Sequence, residues 1–502
     1  MTSPQLHRVR IAVIGAGFGG IGAAIRLKQQ GYQDFVLLDR GDEVGGTWRD
    51  NSYPGCACDV PSHLYSLSFA PNPHWSRSFS GRPEIFAYLR RVADEHHLRP
   101  HLRLRHEVLG ARWDAEQGCW LIDTSQGGYQ AEFLIAAGGP LSEPAIPELP
   151  GLGEFTGEMF HSARWRHDLD LTGRTVAVVG TGASAIQFVP QIAGQVGRLH
   201  LFQRTAPWVM PRADRPITAA ERALFRRSSL ARRAVRAGIY WGRELQATAF
   251  LRPALMRAGQ AVASRHLRRA VADPTLRAAL TPGYTMGCKR VLLSNDYYPA
   301  LTRDNVEVVP GGVEKILPEG VVGDDGSVRK VDTIIFGTGF HVTDVPIARL
   351  ITGRDGRTLA EAWQESMRAY LGTSVAGFPN LFLLLGPNTG LGHTSVVFMI
   401  ECQIEYLLGL LRHADRVGAP LEPTQQAQDE FVAGIDRRMR RTVWSTGGCQ
   451  SWYLDAGGRN STLWPGYTWS YWLRTRRFRP EAFRTVPPAR PMAASTVVEE
   501  NR

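Results

Sequence analysis

Apolar runs separated by glycine turns recur along this chain, and their spacing alternates between strand-like and helix-like in a repeating order. Arg10–Ile14 is a continuous apolar run that opens into Gly15-Ala16-Gly17-Phe18-Gly19-Gly20, followed by helical spacing over Ile21–Gln30 and a second apolar run, Phe35–Leu38. Pro83–His97 has a helical pattern. Leu102–Gln130 alternates like a hairpin or short sheet with Gly127-Gly128 as a turn, and Phe133–Ala137 is a strand running into Gly138-Gly139-Pro140. The cycle restarts at Thr175–Val179, with the turn Gly180-Thr181-Gly182-Ala183-Ser184-Ala185, a helix through Gln187 and Ile192, and a strand at Leu199–Phe202. Apolar positions over 211–282 are spaced for helices. Strands resume at Asn305–Val309 and Val331–Phe336, the latter ending in Gly337-Thr338-Gly339-Phe340, which parallels Ala137-Gly138-Gly139 as a hinge-like crossing. Leu381–Leu385 then leads into the loop Gly386–Thr394.

This order predicts an α/β protein with two Rossmann-like dinucleotide-binding domains and a helical insertion in the second. The expected organisation places the first domain at 1–145 and again at 385–480. A linker and the first part of the second domain occupy 146–210, and its second part 283–384. The insertion or lid spans 211–282, and 481–502, rich in Pro, Ala and Arg without periodicity, reads as a disordered tail.

Composition narrows the function. Hydrophobic content of 43% and charged content of 21% are ordinary for a globular protein. The net charge of +11 has arginines crowded between Arg212 and Arg277 and from Arg474 to Arg490. No recognised nucleic-acid module accompanies them, so nucleic acid is not an expected partner. The basic insertion reads as a lid over a substrate pocket, with peripheral membrane contact as the alternative. Six cysteines are too few and too irregular for a disulfide framework, and no set has zinc spacing, so no metal is expected and a reducing cytoplasm is the simplest compartment. No uncharged apolar stretch reaches the roughly 20 residues needed to span a bilayer; Val396–Leu411 is interrupted by Glu401, Gln403 and Glu405 and reads as a partly buried helix.

The candidate chemistry lies at the turns. Gly15 permits a tight turn, Gly17 lets the backbone approach a pyrophosphate, and Gly20 completes the motif that opens a helix whose free N–H groups favour an anion. Asp39, at the end of the second run, is where a ribose hydroxyl is gripped. In the second domain Gly180, Gly182 and Ser184 form the matching turn, but Arg204 and Thr205 stand where Asp39 stood. A guanidinium and a hydroxyl there attract a 2′-phosphate, so the second nucleotide is read as NADPH. Gly45-Gly46-Thr47-Trp48, followed by Tyr53-Pro54-Gly55 and Asp59, forms a loop covering the first cofactor. Flavin disulfide reductases place a cysteine where Trp48 stands, so dithiol chemistry is excluded and Cys56 and Cys58 read as packing residues. Asn388, in the loop Gly386–Thr394, suits the polar edge of an isoalloxazine.

Phe155-x-Gly157-x-x-x-His161-x-x-x-Trp165, between the two turns, resembles the fingerprint of type I Baeyer–Villiger monooxygenases, and Gly45-Gly46-x-Trp48 through Asp59 resembles their second signature. The match runs from about Val9 to Phe478. Arg166 departs from the Trp-Pro or Trp-Asp usual at the end of the fingerprint, and Gly138-Gly139 from the commoner Ala-Thr-Gly. The resemblance implies FAD in the first domain, NADPH in the second, O2 as co-substrate and a ketone converted to an ester or lactone, with sulfoxidation as a side activity. Carried over by position, Arg290 is the catalytic arginine, Asp59 the carboxylate that orients it, Lys289 with Arg204 the 2′-phosphate contacts, and Trp452 a residue of the nicotinamide or substrate pocket. His161 and Trp165 are expected to couple domain position to catalysis without chemistry of their own. Related flavoproteins that oxygenate nitrogen or sulfur share the glycine turns, and a non-catalytic flavoprotein binding partners through the basic insertion is the alternative from another class.

Overall fold

A computed structural model describes residues 6–364 and 366–486. The first apolar run lies in the strand His7–Ile14, which has parallel neighbours on both sides, Phe35–Asp39 and Gly127–Ala136. A strand covered on both faces needs apolar residues at successive positions, which is why Ile11 to Ile14 reads as an unbroken run. The sheet continues from Phe35–Asp39 to Leu102–Leu104. On the other side it runs through the antiparallel strands Cys119–Thr124 and Val108–Asp114 to Ile351–Thr352, and Leu381–Leu383 pairs with the end of Gly127–Ala136.

The second sheet has five parallel strands in the order Val306–Pro310, Arg198–Gln203, Thr175–Val179, Thr333–Phe336, Glu158–His161. Two nucleotide-binding sheets connected by chain crossings match the expected class.

Three expected boundaries are corrected. The chain has already rejoined the first sheet at Ile351, before residue 385, because Ile351–Thr352 and Leu381–Leu383 both pair with it. A strand of two residues, as at Ile351–Thr352, is too short for periodicity to register. The stretch Phe155–Trp165, expected as a linker, supplies Glu158–His161 as an edge strand of the second sheet. The tail expected to be disordered from residue 481 is ordered through Val486, since Phe483–Thr485 pairs with Leu421–Pro423; its remainder lies outside the described residues.

The insertion contains the helices Ala219–Arg227, Ser229–Leu251, Met256–Ala270 and Pro274–Ala279. Thr218 and Glu221 form a capping box at the first, which meets two of the donors a helix start leaves free. The base of the insertion is closed by Val209–Met210 pairing with Leu292–Leu293, so its last residues are delivered next to Lys289 and Arg290. The two crossings between domains run side by side: Ala145 N donates to Gly339 O at 2.9 Å, His341 N to Glu143 O at 3.0 Å, and Thr338 Oγ1 to Ala145 O at 2.6 Å. Among the described residues no helix is long and apolar enough to cross a membrane.

Candidate active site

Two equivalent turns face one cavity of about 1160 Å³. Gly15 has φ +102°, and a Cβ on it would lie 2.6 Å from Ala137 O; Gly180 has φ +104°, and a Cβ would lie 2.7 Å from Gly337 O. In each domain the first glycine therefore closes against the strand end by which the chain leaves that domain, an approach only a missing side chain allows. Gly17 and Gly46 face one another across the mouth of the first turn, and both line the cavity with Thr47 and Trp48. Gly182 and Ser184 line it from the second domain. Gly20 does not line it; a Cβ there would lie 1.8 Å from Gly15 O, so this glycine packs the helix against its own turn.

The predicted acids and bases divide into those the cavity exposes and those the fold consumes. Asp39 borders the cavity but is buried, and its carboxylate accepts from Ala16 N at 2.7 Å, Gly41 N at 2.8 Å and Arg49 Nη1 at 2.7 Å. It braces the glycine turn whether or not a ribose is present. Asn388 does not line the cavity: Nδ2 donates to Asn460 O at 2.8 Å and Leu463 O at 3.1 Å, and its carbonyl accepts from Arg459 Nη2 at 3.0 Å. Its side chain pins the flavin-side loop from behind.

Arg290 and Asp59 come from different domains and meet in a two-pronged ion pair: Nε donates to Oδ2 and Nη2 to Oδ1, each at 2.7 Å. Asp59 holds the guanidinium well above its already high ordinary value, so it stays cationic at any physiological pH. The pairing uses one edge of the fork, leaving Nη1, whose nearest protein acceptor is Leu391 O at 3.5 Å, directed along the cavity wall. Lys289 and Arg204 also line the cavity, as does Thr205. Burial and then the neighbouring Arg204 hold the Lys289 ammonium below its usual range. Two cations that repel one another at a cavity wall, neither paired with a carboxylate among the described residues, make a site for an anion.

Trp452 lines the cavity, its ring 4.3 Å from that of Tyr453. Tyr453 was not singled out by its sequence position, though it adjoins Trp452. Its hydroxyl is fully buried without a partner among the described residues; burial pushes the phenol up to about 12, with Arg290 pulling it back. Arg243, from the insertion, is a second residue that no motif marks: burial holds its guanidinium below its ordinary value, with Asp59 opposing and Arg290 reinforcing that shift. Cys56 and Cys58 are free and buried, and burial pushes both thiols up, Cys56 to about 11, as suits packing residues. Cys288 and Cys449, in contrast, form a disulfide that the irregular cysteine spacing did not suggest. It ties the segment entering Lys289 and Arg290 to the one entering Trp452 and Tyr453, the two cysteines lying 161 residues apart in sequence.

The fingerprint residues stand behind the cavity. Phe155 packs in the core of the second sheet, and a Cβ on Gly157 would lie 2.4 Å from Asp332 O. Trp165 packs against Phe160 and Phe188, the latter on the helix that follows the second glycine turn. His161 is 2% exposed, accepts from Ala163 N at 3.1 Å through Nδ1, and lies edge-on to Phe340 at the crossing. Burial lowers its pKa to about 4, so it is neutral at physiological pH, and it does not line the cavity where a proton would be taken.

The residues present fit two dinucleotides. Beyond the two glycine cradles, the buried hydroxyls of Thr394 and Thr462 border the cavity without partners among the described residues, as the polar edge of a flavin requires. Fold and cavity together define a two-dinucleotide flavoprotein oxidoreductase. A family model described as pyridine nucleotide-disulphide oxidoreductase matches residues 12–219. A Baeyer–Villiger monooxygenase of Streptomyces coelicolor is 54% identical over 490 residues, covering 97% of this chain and 94% of its own length. Among solved structures, cyclohexanone monooxygenase from Rhodococcus sp. Phi1 bound to NADP+ superposes with a TM-score of 0.83 at 28% identity, over 96% of this chain and 99% of that one. OTEMO in complex with FAD and NADP gives a TM-score of 0.86 at 27% identity, over 96% and 100%. The chain belongs to the Baeyer–Villiger monooxygenases, which use FAD, NADPH and O2 to insert one oxygen atom beside a ketone carbonyl.

Proposed function

We propose that Arg290, aimed by Asp59, is the catalytic residue of this oxidation, and that a ketone bound beside it leaves as an ester or lactone. The observation that carries this is the two-pronged pair across the domain boundary, which leaves Nη1 with only a long 3.5 Å contact to Leu391 O at the cavity wall. When bound, FAD reduced by NADPH would supply the activation of O2, one atom of which enters the product while the other leaves as water. The chain's own work is to hold an anion without protonating it. A permanently charged guanidinium donates hydrogen bonds but releases no proton at neutral pH, so it stabilises negative charge developing on the substrate's carbonyl oxygen without acting as an acid. Asp59 fixes the fork's plane. Lys289 and Arg204 hold the 2′-phosphate, and Trp452 shapes the nicotinamide or substrate end of the cavity. The dependence on NADPH and O2 suits a cytoplasmic setting.

Arg290→Ala tests the assignment. Expected are full FAD occupancy and continued flavin reduction by NADPH, with ester formation down by about two to three orders of magnitude. Ester formed at the parent rate would remove Arg290 from the chemistry.

A further inference from the structure

The insertion carries a charge imbalance of which the active site takes up only Arg243. Residues 211–282 hold 15 arginines and 4 carboxylates, a net of +11, equal to that of the whole chain. The rest of the protein is therefore neutral overall. All four carboxylates are engaged within the protein. Asp214 pairs with Arg77, Glu221 with Arg215, Asp273 caps the helix Pro274–Ala279, and Glu244 is buried, accepting from Thr468 N at 2.9 Å and Thr468 Oγ1 at 2.6 Å and lying 3.2 Å from His393 Nε2. None offsets the exposed Arg226, Arg227, Arg233, Arg257, Arg265 and Arg268.

The same insertion also presents apolar side chains that the fold leaves uncovered. On the helix Ser229–Leu251, Leu230, Trp241 and Leu245 are 75%, 59% and 75% exposed. The intervening Ala234 and Gly238 complete one stripe at helical spacing, and it holds no charge. The neighbouring helix Thr468–Thr475 turns Trp469, Trp472 and Leu473 outward, with the guanidinium of Arg476 5.3 Å from the Trp472 ring. The two helices are joined by Tyr240–Thr468 and Thr248–Tyr467 hydroxyl bonds at 3.0 Å each, besides the Glu244 contacts.

We propose that this face of the insertion docks on an anionic phospholipid bilayer. Tryptophan and leucine on an exposed helix face, bordered by unpaired arginines, meet both requirements of interfacial binding: apolar area to bury at the acyl boundary and cations for the headgroup phosphates. The charge argues against a second copy of the chain as occupant, because a two-fold interface would set this arginine-rich surface against itself. The uncharged stripe argues against nucleic acid. Phe250, on the side opposite the stripe, and Glu244, on its flank, pack against His393 in the loop bordering the cavity, so the docked helix also contacts the cofactor loop.

Sedimentation of the FAD-loaded full-length protein with phosphatidylcholine vesicles, with and without phosphatidylglycerol, tests this. Expected is pelleting with the anionic vesicles only, weakened by salt. Trp241→Ser with Leu245→Ser should lower partitioning at least tenfold, and each of Arg226→Gln, Arg227→Gln and Arg233→Gln about fivefold. Oxidation of a water-soluble ketone by these variants should be unchanged, which reports folding independently of the vesicles. The proposal fails if nothing pellets, or if the serine variants pellet like the parent. It also fails if Leu245→Ser abolishes a dimer, or if salt-sensitive binding is found for duplex DNA but not for vesicles.

Discussion

Gln187, on the nucleotide-binding helix of the second domain, holds the backbone of Ala57 in the first at both ends of its side-chain amide: Oε1 accepts from Ala57 N at 3.2 Å and Nε2 donates to Ala57 O at 3.0 Å. The Tyr53 hydroxyl also donates to Gln187 Oε1, at 3.1 Å. Gly55 makes the approach possible, since with φ +77° a Cβ there would lie 2.7 Å from Gln187 O. The clamp lies two residues before Asp59 and fixes the loop that presents it.

Gln187→Leu leaves the amide and carbonyl of Ala57 and the Tyr53 hydroxyl unmet, a cost on the order of 2 kcal/mol. Because Asp59 aims Arg290, ester formation should fall at least tenfold while FAD stays bound. Steady-state turnover with flavin absorbance checks this; an unchanged kcat would show that the loop keeps its place without the clamp.

Replacing Lys289 and Arg204 together, each by Ala, should raise the KM for NADPH by about two orders of magnitude and leave that for NADH nearly unaltered. The selectivity comes from two cations facing one anion. An equal loss for both nucleotides would assign them to positioning instead.

His161 gives the stability a pH dependence. Its folded pKa of about 4 lies below the unfolded value near 6.5, so between these pH values the unfolded chain binds a proton that the folded one refuses. The contribution is complete above about 6.5 and is lost as pH falls through about 4, amounting to at most about 3 kcal/mol. Urea unfolding of the parent and of His161→Gln across this window measures it. The variant should show a shallower slope, and coincident slopes would place the dependence elsewhere.

Legibility followed length and pairing. Ile11–Ile14 and Thr175–Val179 were readable because central parallel strands are apolar at successive positions, and each feeds a glycine turn with a fixed spacing. Ile351–Thr352 was not, since two residues held by edge pairing carry no period. Among site residues, Gly15, Gly180, Arg204 and Lys289 were visible as motif positions and the cavity brings them together. Asn388 shows the limit: a polar residue in the expected loop, it spends its amide on Asn460 and Leu463, a choice set by side-chain direction rather than position. Tyr453, Arg243 and the Cys288–Cys449 pair depend on contacts between distant segments and left no local signal.

The bonded pair of crossings at Ala145 and Gly339 sets how the halves can move. Two strands of chain laced together behave mechanically as one ribbon, which resists sliding and stretching but yields to torsion. His161 lies against the Phe340 ring beside this laced crossing, so the edge strand that ends at His161 is packed onto it.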